Sequence, residues 1–219
     1  MRNYAFRLEY RTNIRHAFSL VEILVVIAII TILTSILLPI MMAARTNVQK
    51  TVCLSNLHQI GASVLMYTQD YDGYDPYAVD AVDRQFPYLW GSHPAFEAAI
   101  PDLLYVHKAL YPYCRSAEVF HCSSDTGFDV EDILGLPFDA APVYYERYGS
   151  SYFYHTDLAA SEIAEAALEK PSETFLFSDA CGDWHGSVGA HSKRYNVVFA
   201  DQHSKSLSRD QFKRLWSNP

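Results

Sequence analysis

AFSLVEILVVIAIITILTSILLPIMMAA, residues 17–44, decides the architecture of this chain. The stretch is apolar apart from Glu22 and a few hydroxyl or small residues, and Ile23–Leu38 holds no charge. As a helix, Phe18–Ala44 spans about 40 Å, enough to cross a bilayer. Residues 1–17 carry Arg2, Arg7, Arg11 and Arg15 against Glu9, a net of +3, and the remaining 13 basic and 24 acidic residues leave −11 after them. Basic flanks stay cytoplasmic, so the leader is expected in the cytoplasm and the acidic remainder outside. An acidic domain repels phosphate backbones, which argues against a nucleic-acid partner. The small residue Ala17 precedes the apolar run, whereas a secretory signal places its small-residue cleavage site after a shorter apolar core. A cut after Ala17 removes only the basic leader and leaves the membrane helix attached.

Two residues interrupt the span. A carboxylate at Glu22 costs roughly 2–3 kcal/mol near mid-membrane and marks function. Pro39 removes one helical hydrogen bond and is expected to kink or locally melt the helix, with Thr34 and Ser35 placed to satisfy the freed carbonyl. Beyond Arg45 the helix is expected to continue in amphipathic form over residues 45–68, with Cys53, Leu57, Ile60, Val64 and Tyr67 on one face. From Phe18 to Tyr67 that makes about 75 Å of helix. Asp70-Tyr71-Asp72-Gly73-Tyr74-Asp75-Pro76 ends it with turn formers. The Asp70-x-Asp72-Gly73 run resembles a calcium loop without the twelve-residue spacing or terminal Glu.

The segments therefore divide as a basic leader (1–17), a transmembrane helix (18–44) and an α+β domain (45–219) that includes the amphipathic half-helix. Within the domain, Asp102 is expected to cap a helix through Leu110, and Ser161–Glu169 to form another. Val119–Cys122, Ser151–Tyr154, Thr174–Ser178 and Tyr195–Ala200 read as strands, with Asp201-Gln202-His203 turning into Lys205–Leu207. Seven prolines make residues 76–150 irregular. The cysteines Cys53, Cys114, Cys122 and Cys181 form no CxxC pair; outside the cytoplasm they are disulfide candidates, with three full pairings open. No HExxH, GxSxG, Walker loop or Cys-His nucleophile pattern is present, so no catalysis is expected. No cofactor is expected either; Asp179, Asp183, His185 and His203 are the candidate ligands for a divalent metal such as calcium.

Ala17-Phe18-Ser19-Leu20-Val21-Glu22 resembles the prepilin peptidase site of type IV pilins and type II secretion pseudopilins. The resemblance implies cleavage before Phe18, N-methylation of that residue, a Glu at the fifth mature position (Glu22) and a Pro at the twenty-second (Pro39). The residue before the cut is usually Gly; Ala17 is its nearest substitute in size. Implied partners are a prepilin peptidase/methyltransferase, other pilin-like subunits, inner-membrane assembly machinery and the bilayer. The implied location is the bacterial inner membrane, single-pass, then a filament. In a filament Glu22 would pair with the Phe18 amino terminus of a neighbour, and low dielectric would strengthen that pair.

Cys53-Leu54-Ser55-Asn56-Leu57-His58-Gln59-Ile60-Gly61 resembles the stalk of a bacterial subgroup that also carries a C-terminal His-x9-Asp-Gly motif. Here His191 and Asp201 match, with Gln202 in place of Gly. A Gly there accepts positive φ freely; Gln pays up to about 1–2 kcal/mol or enforces another turn. Residues 111–114, 119–122 and 171–174 also look like that subgroup. The expected fold is a long N-terminal helix packed on a small antiparallel sheet, and the expected function a filament subunit. The alternatives are a membrane-anchored binding module, cued by Trp90, Trp184 and Trp216, and a metalloenzyme using the C-terminal His/Asp residues.

Overall fold

The computed structural model describes residues 19–186 and 192–217. Contacts divide the chain into two compact units, Met1–Ala44 and Arg45–Pro219. One helix, α1 (Leu20–Asp70), runs from the first into the second.

In the first unit α1 is exposed along its length, and it is long and apolar enough to cross a membrane. Pro39 stands inside it without interrupting it, so the expected local melting does not occur. One lost hydrogen bond is little against the many that remain in a 51-residue helix. Thr34 and Ser35 do not turn towards the carbonyl that Pro39 leaves open. Thr34 Oγ1 donates to Ile30 O at 2.9 Å and Thr31 O at 3.0 Å, and Ser35 Oγ donates to Ile32 O at 2.7 Å. Helical side chains point back towards the N-terminus, which puts these hydroxyls over the preceding turn.

In the second unit, Cys53, Leu57, Ile60 and Val64 of α1 are buried, as their spacing predicts, and Tyr67 packs partly buried against the same core. Gly61 lies on this face. A Cβ there would stand 2.8 Å from Val198 Cγ2 and 2.9 Å from Gln202 Oε1, so the close approach of helix to sheet needs a glycine. The helix ends where Gly73, at φ +84°, donates its N–H to Thr68 O at 2.8 Å.

The sheet is antiparallel throughout, in the order β1 (Tyr152–Tyr154), β2 (Phe175–Asp179), β3 (Arg194–Phe199), β4 (Ser204–Ser208). Both faces are covered. Phe177 and Val198 join the core that contains the α1 residues. Tyr195, Val197, Phe199 and Leu207 pack with Phe212 of the C-terminal helix Arg209–Trp216. A register shift between Phe175 and Phe177 lets Phe175 join the Phe212 side while Phe177 joins the α1 side. The outer strand β4 is polar, with Lys205 exposed, which discourages further strand addition.

Three local expectations need correction. Val119–Cys122 is not a strand: Ala117–Phe120 forms a 3-10 helix, its Glu118 N–H capped by Ser116 Oγ at 3.2 Å. Asp102 caps no helix through Leu110; the helix is Val106–Leu110, and Val106 N–H pairs instead with Val79 O at 2.8 Å. Ser161–Glu169 holds only a 3-10 turn, Glu165–Ala167, after a short helix at Asp157–Ala160. Tertiary pairing overrides propensity at 164–165, where Ala164 bridges Tyr74 and Glu165 N–H donates to Gly73 O at 2.8 Å.

His107 shows how this domain responds to acid. Its ring is buried, stacked on Tyr105 and edged by Tyr111 and Phe120, and burial followed by the Lys108 charge lowers its pKa to about 4 from 6.5. The folded state therefore prefers the neutral ring. Its contribution is fully present above about pH 6.5 and is lost as pH falls towards 4, by about 3 kcal/mol in total. His107→Phe should flatten the stability profile across that window relative to wild type in urea titrations. Parallel profiles would contradict the assignment.

Candidate functional site

The residues singled out from sequence fall in two regions. Ala17 and Phe18 lie outside the described residues. Immediately after them, Ser19 donates its N–H to Glu22 Oε2 at 2.8 Å, while Ser19 Oγ accepts from Val21 N–H at 3.3 Å. Ser19 caps the first turn through Val21 while Glu22 reaches back to the Ser19 N–H, and a carboxylate in the first turn also faces the positive end of the helix dipole. Glu22 is thus held at the helix start by its own chain. That local role is legible in the Ser19–Glu22 spacing.

Among the described residues, the C-terminal His and Asp side chains do not gather into one site. His191 lies outside the described residues. Asp201 and His203 share the β3–β4 turn, where Asp201 Oδ1 accepts from the His203 N–H at 3.2 Å and contacts its ring Nδ1 at 2.5 Å. Against a small burial penalty, these His203 hydrogen bonds hold the Asp201 carboxyl below its usual range. Gln202 adopts φ +75°, the left-handed conformation in which a glycine is unstrained, and its carbonyl contacts His58 Nδ1 of α1 at 2.9 Å. The turn is therefore tied to the helix through its backbone.

Asp179 is wholly buried on β2, accepts the Asn196 N–H at 2.6 Å and lies 3.6 Å from His185 Nε2. Burial pushes its carboxyl well up and, with the Lys50 charge, lowers His185 to about 4, so burial works against charge on both groups. His185 Nε2 also stands 3.3 Å from Cys122 Sγ, and Cys122 is joined to Cys53 in a disulfide. Cys53, Cys122 and His185 have the proximity of a metal site, but the two sulfurs are spent on each other. Asp183 belongs to a different cluster, with Asp132 and Cys181. The Lys193 ammonium bonds both carboxylates, filling the place a cation would take. Burial raises the Cys181 thiol to about 12, and Cys114 is a half-buried thiol donating to Ser63 Oγ at 3.1 Å.

Two of the three tryptophans belong to the core. Trp90 donates its indole N–H to Asp83 Oδ1 at 2.9 Å, Trp184 packs on Phe128, and Trp216 is a partly buried cap on Phe175. Trp90 and Trp216 also border a pocket of about 220 Å³ with Asp83, Glu131, His155 and Asp157.

Residues 12–38 match the family model described as the prokaryotic N-terminal methylation motif. No curated protein and no solved structure matches the chain. The motif, on a helix long and apolar enough to cross a membrane, supports a pilin-like chain with a single-pass anchor, acted on by prepilin peptidase and assembling with other pilins. It points to a structural subunit rather than an enzyme.

Proposed function

We propose that this chain is a structural subunit of a type IV pilus-like or type II secretion pseudopilus filament, cut before Phe18 and assembled through the apolar half of α1. The observation that carries this reading is the methylation motif at 12–38, which contains Glu22, with Pro39 just beyond it on the same continuous helix. Ser19, the second residue of the mature chain, already fixes the Glu22 carboxylate at the start of that helix. A carboxylate so placed is ready to pair with the amino terminus of a neighbouring subunit, and burial among packed helices penalises subunits out of register. The leader stays cytoplasmic and the acidic domain lies outside; the Cys53–Cys122 disulfide supports an oxidising location for it. The near copy of the subgroup motif, Asp201 with Gln202 at positive φ, supports a hairpin-shaping role rather than metal binding.

Mass spectrometry of the protein purified from peptidase-bearing cells tests the reading. The mature chain should begin at an N-methylated Phe18. An intact Met1 start in such cells would sink the proposal.

A further inference from the structure

The Cys53–Cys122 disulfide has polar neighbours that it leaves unsatisfied. The two sulfurs and a ring nitrogen of His185 all lie within 4.8 Å of one another. His185 Nε2 stands 3.3 Å from Cys122 Sγ and 3.6 Å from Asp179 Oδ2. Both cysteines are fully buried, and the His185 and Asp179 side chains are shielded from solvent. Asp179 Oδ2 accepts the Asn196 N–H, but among the described residues Asp179 Oδ1 and His185 Nδ1 have no hydrogen-bond partner. Buried polar atoms left in this way are costly, and they point to a second state of the site in which a ligand meets them.

We propose that Cys53 and Cys122, when reduced, bind a zinc ion together with His185 and Asp179, and that closing the disulfide expels the ion. Two thiolates, an imidazole and a carboxylate make a complete tetrahedral set for zinc, and the sulfurs select it over hard cations. Bonds of about 2.0–2.3 Å to a tetrahedral zinc put neighbouring ligand atoms about 3.3–3.8 Å apart. Both His185 distances already fall in that range, and the sulfurs reach it once no bond holds them together. Two thiolates and a carboxylate leave one negative charge around the ion, and the Lys50 charge, which acts on both Asp179 and His185, offsets it. The four ligands come from α1, the segment after Ala117–Phe120, the end of β2 and the residue after Gly182–Trp184. In the reduced chain zinc therefore ties together what the disulfide ties in the oxidised one. It also holds Cys53 beside Cys122 and apart from Cys114 and Cys181, so that oxidation gives the observed pair. A dithiol reductant passes two electrons and two protons to the disulfide and becomes a disulfide itself. Zinc then displaces the two thiol protons, and a disulfide oxidant reverses both steps.

The inference does not rest on the filament reading. The full chain in detergent micelles, reduced with a phosphine and stripped with EDTA, is incubated with ZnCl2, desalted and analysed for metal. The reduced wild type should retain about one zinc per chain, and the untreated disulfide-bonded chain almost none. Zinc should raise the Tm of the reduced chain by about 5 °C or more and leave that of the oxidised chain unmoved. Cobalt(II) in place of zinc reads the ligands without any substitution, through a thiolate charge-transfer band and the intense d–d bands of a tetrahedral site. His185→Gln should weaken zinc binding by at least about 100-fold, the upper end of what an outer-shell partner alone contributes. Its Tm in the oxidised form shows that it is folded. Cys181→Ser, which removes the thiol of the Asp132–Cys181–Asp183 cluster, should bind zinc as the wild type does. A reduced wild type that retains no zinc, a His185→Gln chain of full affinity, or uptake lost in Cys181→Ser overturns the proposal.

Discussion

Asp125→Ala should destabilise the domain by about 4 kcal/mol, more than a single buried hydrogen bond is worth. The side chain is 7% exposed and its two oxygens collect four donors. Oδ1 accepts the Gly127 N–H at 2.9 Å and the Tyr144 N–H at 3.0 Å; Oδ2 accepts the Tyr145 N–H at 2.8 Å and the Ser151 hydroxyl at 2.7 Å. Ser151 Oγ in turn accepts the Cys122 N–H at 3.1 Å, so one carboxylate joins the 122–127 turn, the start of helix Tyr144–Tyr148 and the lead into β1. Truncation to Ala strands all four donors at once. Each orphan costs about 1–3 kcal/mol, and partial entry of water keeps the total below their sum. Tyr144, the first residue of that helix, is fully buried against Phe138, Phe128 and Phe153, so loosening its backbone loosens the aromatic core. Asp125→Asn keeps one acceptor oxygen but turns an amide NH2 towards N–H and O–H donors, and should recover less than half of the loss. Urea unfolding followed by Tyr and Trp fluorescence measures both; a loss under about 1 kcal/mol for the alanine variant would refute the assigned role.

Asp125 also shows where sequence reading stops. Its donors come from residues 127 to 151, and nothing in the local run Ser123-Ser124-Asp125-Thr126-Gly127 separates it from an ordinary turn Asp. What was legible depends on spacing along one element. Ala17, Phe18, Glu22 and Pro39 sit within a single segment, and the buried face Cys53, Leu57, Ile60, Val64 follows from the helical period. The long helix on a small antiparallel sheet was readable for the same reason, because Phe175–Asp179 and Arg194–Phe199 are apolar runs of strand length. Short apolar runs are ambiguous, and at 119–120 a Ser cap chose a 3-10 turn over a strand. The C-terminal helix carries its own signal, Ser208 and Gln211 in a capping box. For Asp179 and Asp183, closeness in sequence is not closeness in space. Asp179 points into the core from β2, while Asp183, beyond a 3-10 turn, meets Lys193.

Replacing Cys53 and Cys122 together by Ala should cost about 4 kcal/mol, on the same scale as the loss of Asp125. The disulfide closes a loop of 69 residues between α1 and the segment after the 3-10 helix Ala117–Phe120. Most of the irregular region 76–150 lies within that loop, so the cross-link restricts the part of the unfolded chain with the least regular structure to regain. Two side chains of α1 reach the same segment, Asn56 Nδ2 donating to His121 O at 2.9 Å and Gln49 Nε2 to Ser123 O at 3.3 Å. These polar contacts are individually worth about 1 kcal/mol and cannot replace the covalent link. Both sulfurs are fully buried, so the alanine pair also leaves a small void, a term that reduction of the wild type does not share. Comparing the two separates them: reductant should shift the wild-type urea midpoint most of the way to that of the double variant and leave the variant itself unmoved. Thiol titration of the unreduced, denatured chain gives the independent check, because only Cys114 and Cys181 should react. Four reactive thiols in protein exported to an oxidising compartment would show that the link does not form, and the stability difference would then have to come from packing alone.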